Sequence, residues 1–419
     1  MSDKKIRLGV KLTILILICL FSSLIAVLFK HRYGYWERIG DYWWDYPFRS
    51  DVLLLPDEKL MFLGCNCPQS HNPSNWSISQ LVLEDTPSAI YDLKSKKIDK
   101  FNIPTDIIYL PYGVLLKNNK LLLTYVYNPN GENKNYSNVS SGEAYTSMAV
   151  VDLKTARIEK VIPNKIKKSY SCRHVSTTFT LLGNGNVLII NFKDDVAEVF
   201  NPTTNTTKLL SIKTHKEPGS TVVPYGKSKA LIIGETTDAF RVSPSRINGS
   251  LEENILEYDS ILEYDDSTGK YNSIGRVLRR EVPEASVINQ SLIIVGGRIN
   301  FSSGATRSSR HIEIFDLQNN TSRIVETFKA KRNGGTFSIV PINSRYILIV
   351  GGWWGTYPFY HTQRTTEIID LKNNKIFFGP QTAERTAAPW VFKLASGNIL
   401  VVDSLWEIQK YNVKGLDNE

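Results

Sequence analysis

Four arginines, Arg173, Arg280, Arg332 and Arg385, recur down the chain, each just ahead of a short β-prone stretch. A guanidinium presents its N–H donors as a rigid planar fork, so several converging on one place would suit a carboxylate, a phosphate or an acidic peptide. His174 adjoins the first of them, and Arg298 lies between the second and third. Glu198, Glu263, Glu313, Glu367 and Glu407 recur at comparable spacing and offer the same arginines internal partners. The set therefore reads either as a ligand cradle or as ion pairs that stabilise a repeat. A second group is the segment WWGTYPFYHTQR, with Trp353, Trp354, Tyr360 and His361 as its candidates. Aromatic faces beside polar groups stack on sugar rings or anchor a peptide, and the same segment folded inward would plug a channel.

Other chemistries lack their residues. The chain has no G-x-S-x-G elbow, no phosphate loop and no H-E-x-x-H pair, and its six histidines form no close pair in sequence. Cys65 and Cys67 form C-x-C rather than the C-x-x-C of most zinc or redox sites, while Cys172 can pair with either in an oxidising compartment or stay a buried thiol. Neither a metal nor a cofactor is expected. The net charge of +9 raises the question of nucleic acid, but residues 1–50 hold eight basic and four acidic side chains. That leaves the remaining chain +5 in mixed signs, too little for a phosphate-tracking surface, and nucleic acid is excluded as the default partner.

The elements that must position these residues are visible as a repeat. Short apolar runs begin at Lys59, Leu121, Val187, Ala230, Ser291, Tyr346 and Asn398, at separations of about 43 to 66 residues. Each is followed by two β-prone stretches joined by a polar turn, as in AIYDLKSKKIDKF from Ala89 and IEIFDLQNNTSRIV from Ile312. Asp92, Asp152, Asn201, Asp265, Asp316 and Asp370 stand at the turn entrance, where a side-chain oxygen can accept backbone N–H groups. A sheet unit that recurs seven times, and cannot bury its own faces alone, predicts an all-β propeller of seven four-stranded blades over residues 51–415. The last copy, WEIQKYNV from Trp406, lacks its outermost strand. Either DVLLL from Asp51 or the aromatic stretch before it is expected to supply one, because closure removes an open sheet edge.

The segments VGGR (Val295 to Arg298), VGGWWG (Val350 to Gly355) and EYDDSTGKY (Glu263 to Tyr271) resemble the repeat of the kelch and galactose-oxidase-like propeller family. The likeness covers residues 51 to 415 and departs from the family where blades one to four and seven lack the full glycine pair. It implies a kelch-type propeller carrying its long second-to-third strand connections on one rim, with the arginines near the mouth of the central channel. The activity it implies is binding of a protein, carbohydrate or anionic ligand on that rim. The alternative it implies is a carbohydrate-active enzyme, either sugar epimerase-like or galactose-oxidase-like; the latter would need copper held by histidine and tyrosine.

Ahead of the repeat, residues 12–29 read LTILILICLFSSLIAVLF without charge, Pro or Gly. As a helix this is roughly 27 Å, long enough to span a bilayer, and the absence of small residues at a suitable cleavage position favours a retained signal anchor over a cleaved signal peptide. Lys4, Lys5, Arg7 and Lys11 place the short segment 1–11 in the cytoplasm and the propeller on the extracytoplasmic side. The intervening 30–50 is rich in Tyr and Trp and is expected at the headgroup level.

Overall fold

The computed structural model describes residues 35–41, 51–63, 88–101, 108–127, 144–168, 177–192, 195–210, 220–234, 258–300, 306–327, 337–354, 361–383, 385–386, 389–403, 407–413 and 416. The expected membrane segment 12–29 lies outside them; among the described residues no helix is long and apolar enough to cross a membrane.

Hairpin turns show most directly why these residues form sheets. In each polar-turn hairpin the entrance Asx side chain accepts backbone N–H groups two or three residues on. Asp92 takes those of Lys94 and Ser95 (both 2.8 Å), and Asp316 takes those of Gln318 and Asn319 (2.8 and 3.1 Å). Four residues after the Asx, the chain enters the left-handed region at Lys96, Ala156, Asn205, Gly269, Asn320 and Asn374, with φ between 52° and 66°. Asn and Gly tolerate that conformation best, and four of the six positions hold one. The Ser95 N–H bond is the largest of the influences that hold the Asp92 carboxyl below its ordinary range. At Asp370 burial acts upward, but the Arg345 and Asn373 side chains and the Asn373 N–H outweigh it and set the carboxyl at about 2.

These hairpins build seven antiparallel four-stranded sheets. Blade one is Val52–Leu55, Lys59–Phe62, Ser88–Asp92 and Ile98–Phe101; blade two is Ile108–Leu116, Lys120–Tyr127, Ala144–Asp152 and Arg157–Lys168. Blade three is Thr177–Leu181, Val187–Asn191, Val196–Asn201 and Thr206–Leu210; blade four is Thr221–Tyr225, Lys229–Ile233, Tyr258–Asp265 and Lys270–Leu278. Blade five is Glu284–Ile288, Ser291–Val295, His311–Asp316 and Thr321–Thr327; blade six is Phe337–Pro341, Tyr346–Gly351, Glu367–Asp370 and Lys375–Phe378. Blade seven takes Trp390–Lys393, Ile399–Val402 and Glu407–Asn412 from the C-terminal end and its outermost strand, Tyr35–Asp41, from the N-terminal end. All seven apolar runs become second strands, and the fold is an all-β, seven-bladed propeller.

Each second strand is sandwiched between two neighbouring blades, so both of its faces must be apolar. In blade five Leu292 and Ile294 pack toward blade four, and Ile293 and Val295 toward blade six. All four have 0% exposure, each stabilising the ring by roughly 1.5–3 kcal/mol. Seven such apolar clusters occupy the seven junctions, including the one where Leu394, Leu400, Val402 and Ile408 of blade seven meet Val52, Leu60 and Phe62 of blade one.

Of the two expected sources of the closing strand, the aromatic stretch supplies it: Tyr35 pairs with Asn412 and Asp41 with Glu407. Residues 51–55 instead open blade one as its innermost strand. The reason is geometric, since DVLLL is apolar on both faces and suits the ring interior, whereas an outermost strand keeps one face to solvent. Part of the segment expected at the headgroup level is thus propeller, and a boundary at Asp51 cuts blade seven from its fourth strand.

Candidate functional site

The loop-rich rim is best described over blades five to seven. Two small hairpins rise there from the second-to-third strand connections. In blade five Arg298–Asn300 pairs with Thr306–Ser308, and in blade six Trp353–Trp354 pairs with His361–Thr362. Both follow a glycine pair for a steric reason. Gly297 has φ +94°, and a Cβ there would lie 2.8 Å from the Glu281 carbonyl oxygen. That close approach lets Glu281 and Arg298 exchange two main-chain hydrogen bonds of 2.8 Å, stapling the hairpin to the segment that leads into blade five. The blade-six hairpin is stapled forward instead. Gln363 donates its N–H to Gly352 O at 2.9 Å, and Gln363 O accepts the Thr386 N–H at 2.9 Å, one residue beyond Arg385.

Of the arginines, Arg280 is a structural clamp. It is 1% exposed, and its Nη2 lies 2.5 Å from Glu313 Oε2. Its Nη1 donates to Gly296 O (3.1 Å) and His311 O (3.2 Å), and its Nε to Leu278 O (3.3 Å). Glu313, itself fully buried, also accepts the Leu278 N–H at 3.0 Å. Burial alone acts to lower the Arg280 pKa, and the Glu313 carboxylate opposes it. Of the two readings of the arginine set, the internal ion pair is the one realised at Arg280. Arg298 and Arg385, by contrast, are exposed. Arg173, His174, Arg332 and Tyr360 lie outside the described residues, as do the cysteines. His361 is exposed in the blade-six hairpin and has a partner of its own.

The glutamates are not all in one register, which corrects the expectation that five recur together. Glu313, Glu198 and Glu367 each stand three residues before the turn Asx, opposite Ile294, Ile189 and Ile349. Glu263 stands two residues before Asp265, so the strand period of two turns it to the other face. There it bridges Lys229 at 2.8 Å, partly in solvent. In blade seven the equivalent position is Gln409, opposite Val401, and not Glu407.

Sequence reasoning passed over two carboxyls at the starts of innermost strands. Asp51 accepts N–H bonds from Val52 (3.0 Å) and, across the junction with blade two, from Gly113 (3.2 Å), and also bonds the Trp390 indole. Burial outweighs these bonds and pushes it up to about 6. Glu284 opens the innermost strand of blade five, and burial pushes it up to about 8. Nothing in the local sequence signals either, because the burial arises only when seven first strands surround one axis.

Among the described residues no group of three or more His, Cys, Asp or Glu is placed to hold a metal ion. His311 is half-buried, with Nδ1 3.4 Å from Ser309 Oγ, and burial followed by the Arg280 charge lowers its pKa.

No protein-family model matches the chain, and no curated protein matches it in sequence. Among solved structures it is similar to a fungal alcohol oxidase of the AA5 family in complex with copper. The identity is 14% and the TM-score 0.57, over 91% of this chain and 76% of the oxidase. At that identity the likeness is one of fold.

Proposed function

We propose that this chain is a kelch-type binding propeller, held to a membrane by residues 12–29 with its ring on the extracytoplasmic side. Its rim over blades five to seven takes a carbohydrate or an anionic ligand. The observation that carries the reading is the main-chain bridge between Gln363 and Thr386. It ties the strand pair that carries Trp353 and Trp354 to the segment that carries exposed Arg385, residue types that stack on a sugar ring and donate to an anion. Rigid strands beneath the rim hold both in place, which limits the entropy lost on binding. The test is a glycan and small-anion binding screen on the full chain, repeated with Trp353→Ala and Trp354→Ala. Loss of binding by tenfold or more in the double variant is expected for a stacking pair. Affinity unchanged by the double variant overturns the reading.

One observation favours an enzymatic reading of the same rim. Glu284, with a carboxyl at about 8, would be protonated at neutral pH and matched to general acid–base work such as sugar epimerisation. The fold is also one that an AA5 alcohol oxidase uses. Turnover of a sugar by the full chain, abolished by Glu284→Gln, would establish the enzyme; binding of the same sugar without turnover leaves the binding propeller.

A further inference from the structure

A buried Glu or Gln side chain recurs at one register in blades three, five, six and seven, and blade seven carries the amide. In blade five, Glu313 accepts the Leu278 N–H and holds the guanidinium of Arg280, two residues further along. In blade seven, Gln409 occupies the register of Glu313 and is equally buried, at 0% exposure. Its Oε1 accepts the Ala383 N–H at 2.9 Å, the counterpart of the Leu278 bond. Arg385 follows Ala383 by two residues, as Arg280 follows Leu278. The main-chain anchor is therefore kept, and the charge is gone.

A carboxylate offers a guanidinium only acceptors; an amide that has spent its oxygen on a backbone N–H offers it another donor. The consequence is visible twice. Arg385 is exposed where Arg280 is 1% exposed. Gln409 Nε2 is buried without a hydrogen-bond partner among the described residues. An orphaned buried donor costs free energy that an ordinary core would not carry, so it calls for a reason. The nearby acid does not provide one: Asp403, at the register of Gly296 in blade five, is buried and has a partner of its own.

We infer that Gln409 and Arg385 form an oxyanion subsite at the rim of blade seven that recognises the carboxylate of an acidic sugar, with the Gln409 amide and the Arg385 guanidinium as donors. A planar carboxylate accepts both, and it replaces in trans the glutamate that blade five supplies in cis. The strand pair that carries Trp353 and Trp354 is tied to the segment of Arg385 through Gln363 and Thr386. The inference rests on the rim being the ligand face and names the class of ligand that face prefers.

The test is titration of the full chain with galacturonate, glucuronate and mannuronate, each against its neutral hexose. The wild-type chain is expected to bind at least one acid roughly tenfold or more tightly than its neutral partner. Gln409→Glu is the decisive variant, because it changes no volume and rebuilds the blade-five clamp, drawing Arg385 onto the new carboxylate. It should erase the acid preference and hold or raise the unfolding midpoint. Arg385→Gln should erase the same preference, and the two changes together should do no more than either alone. A purely structural role for Arg385 predicts no change in preference in either variant. Persistence of the preference in Gln409→Glu overturns the inference, as does a wild-type chain that binds acids and neutral hexoses alike. In both cases the proposed binding face still stands; binding of no sugar or anion at all removes both.

Discussion

Replacing Arg280 with Met removes one partner of a fully buried ion pair and leaves Glu313, at 0% exposure, without its counter-charge. Breaking such a pair costs about 3–5 kcal/mol. Urea unfolding followed by tryptophan fluorescence reads this directly, the chain having eight Trp. For a slope of about 3 kcal/mol per M the midpoint at pH 7 should fall by about 1 M. The double variant Arg280→Met/Glu313→Leu should recover most of the loss, since an apolar pair of similar volume replaces the ions at little net cost. A loss at pH 7 below about 1 kcal/mol, accompanied by loss of ligand binding, would refute the clamp and return Arg280 to the ligand site.

Two further outcomes follow from closure and burial. A chain beginning at Asp51 lacks the strand Tyr35–Asp41 and exposes the edge of Glu407–Asn412, so it should lose cooperative unfolding and self-associate in light scattering, whereas one beginning at Lys30 should not. Because the Glu284 carboxyl is raised from 4.5 to about 8, its contribution is fully present below pH 4.5 and is lost as pH rises through 8. Glu284→Gln should therefore flatten the stability profile between those limits, and a profile unchanged by the substitution would show that the carboxyl is not buried.

Local chemistry alone was enough to specify the repeating unit. An Asx at each turn entrance and a left-handed residue four positions on set each hairpin within a dozen residues, and they do so whatever surrounds them. Apolar runs such as SLIIVGG also announce a strand buried on both faces, and seven of them imply a ring. Tertiary structure decided what depends on meeting a distant segment. Which N-terminal stretch closes blade seven was open in the sequence, because Tyr35–Asp41 and Asp51–Leu55 are both β-prone and only their places in the ring differ. The fate of the arginines was equally hidden. Arg280 and Arg385 look alike as residues ahead of a strand, and what separates them is whether the third strand of the same blade presents a carboxylate or an amide. That contrast spans 33 positions in one case and 24 in the other, and a one-residue shift in strand register, as at Glu263, turns the partner to the opposite face. Side-chain direction alternates along a strand while sequence spacing does not, so the ion pairs could be named only once the strands were laid side by side.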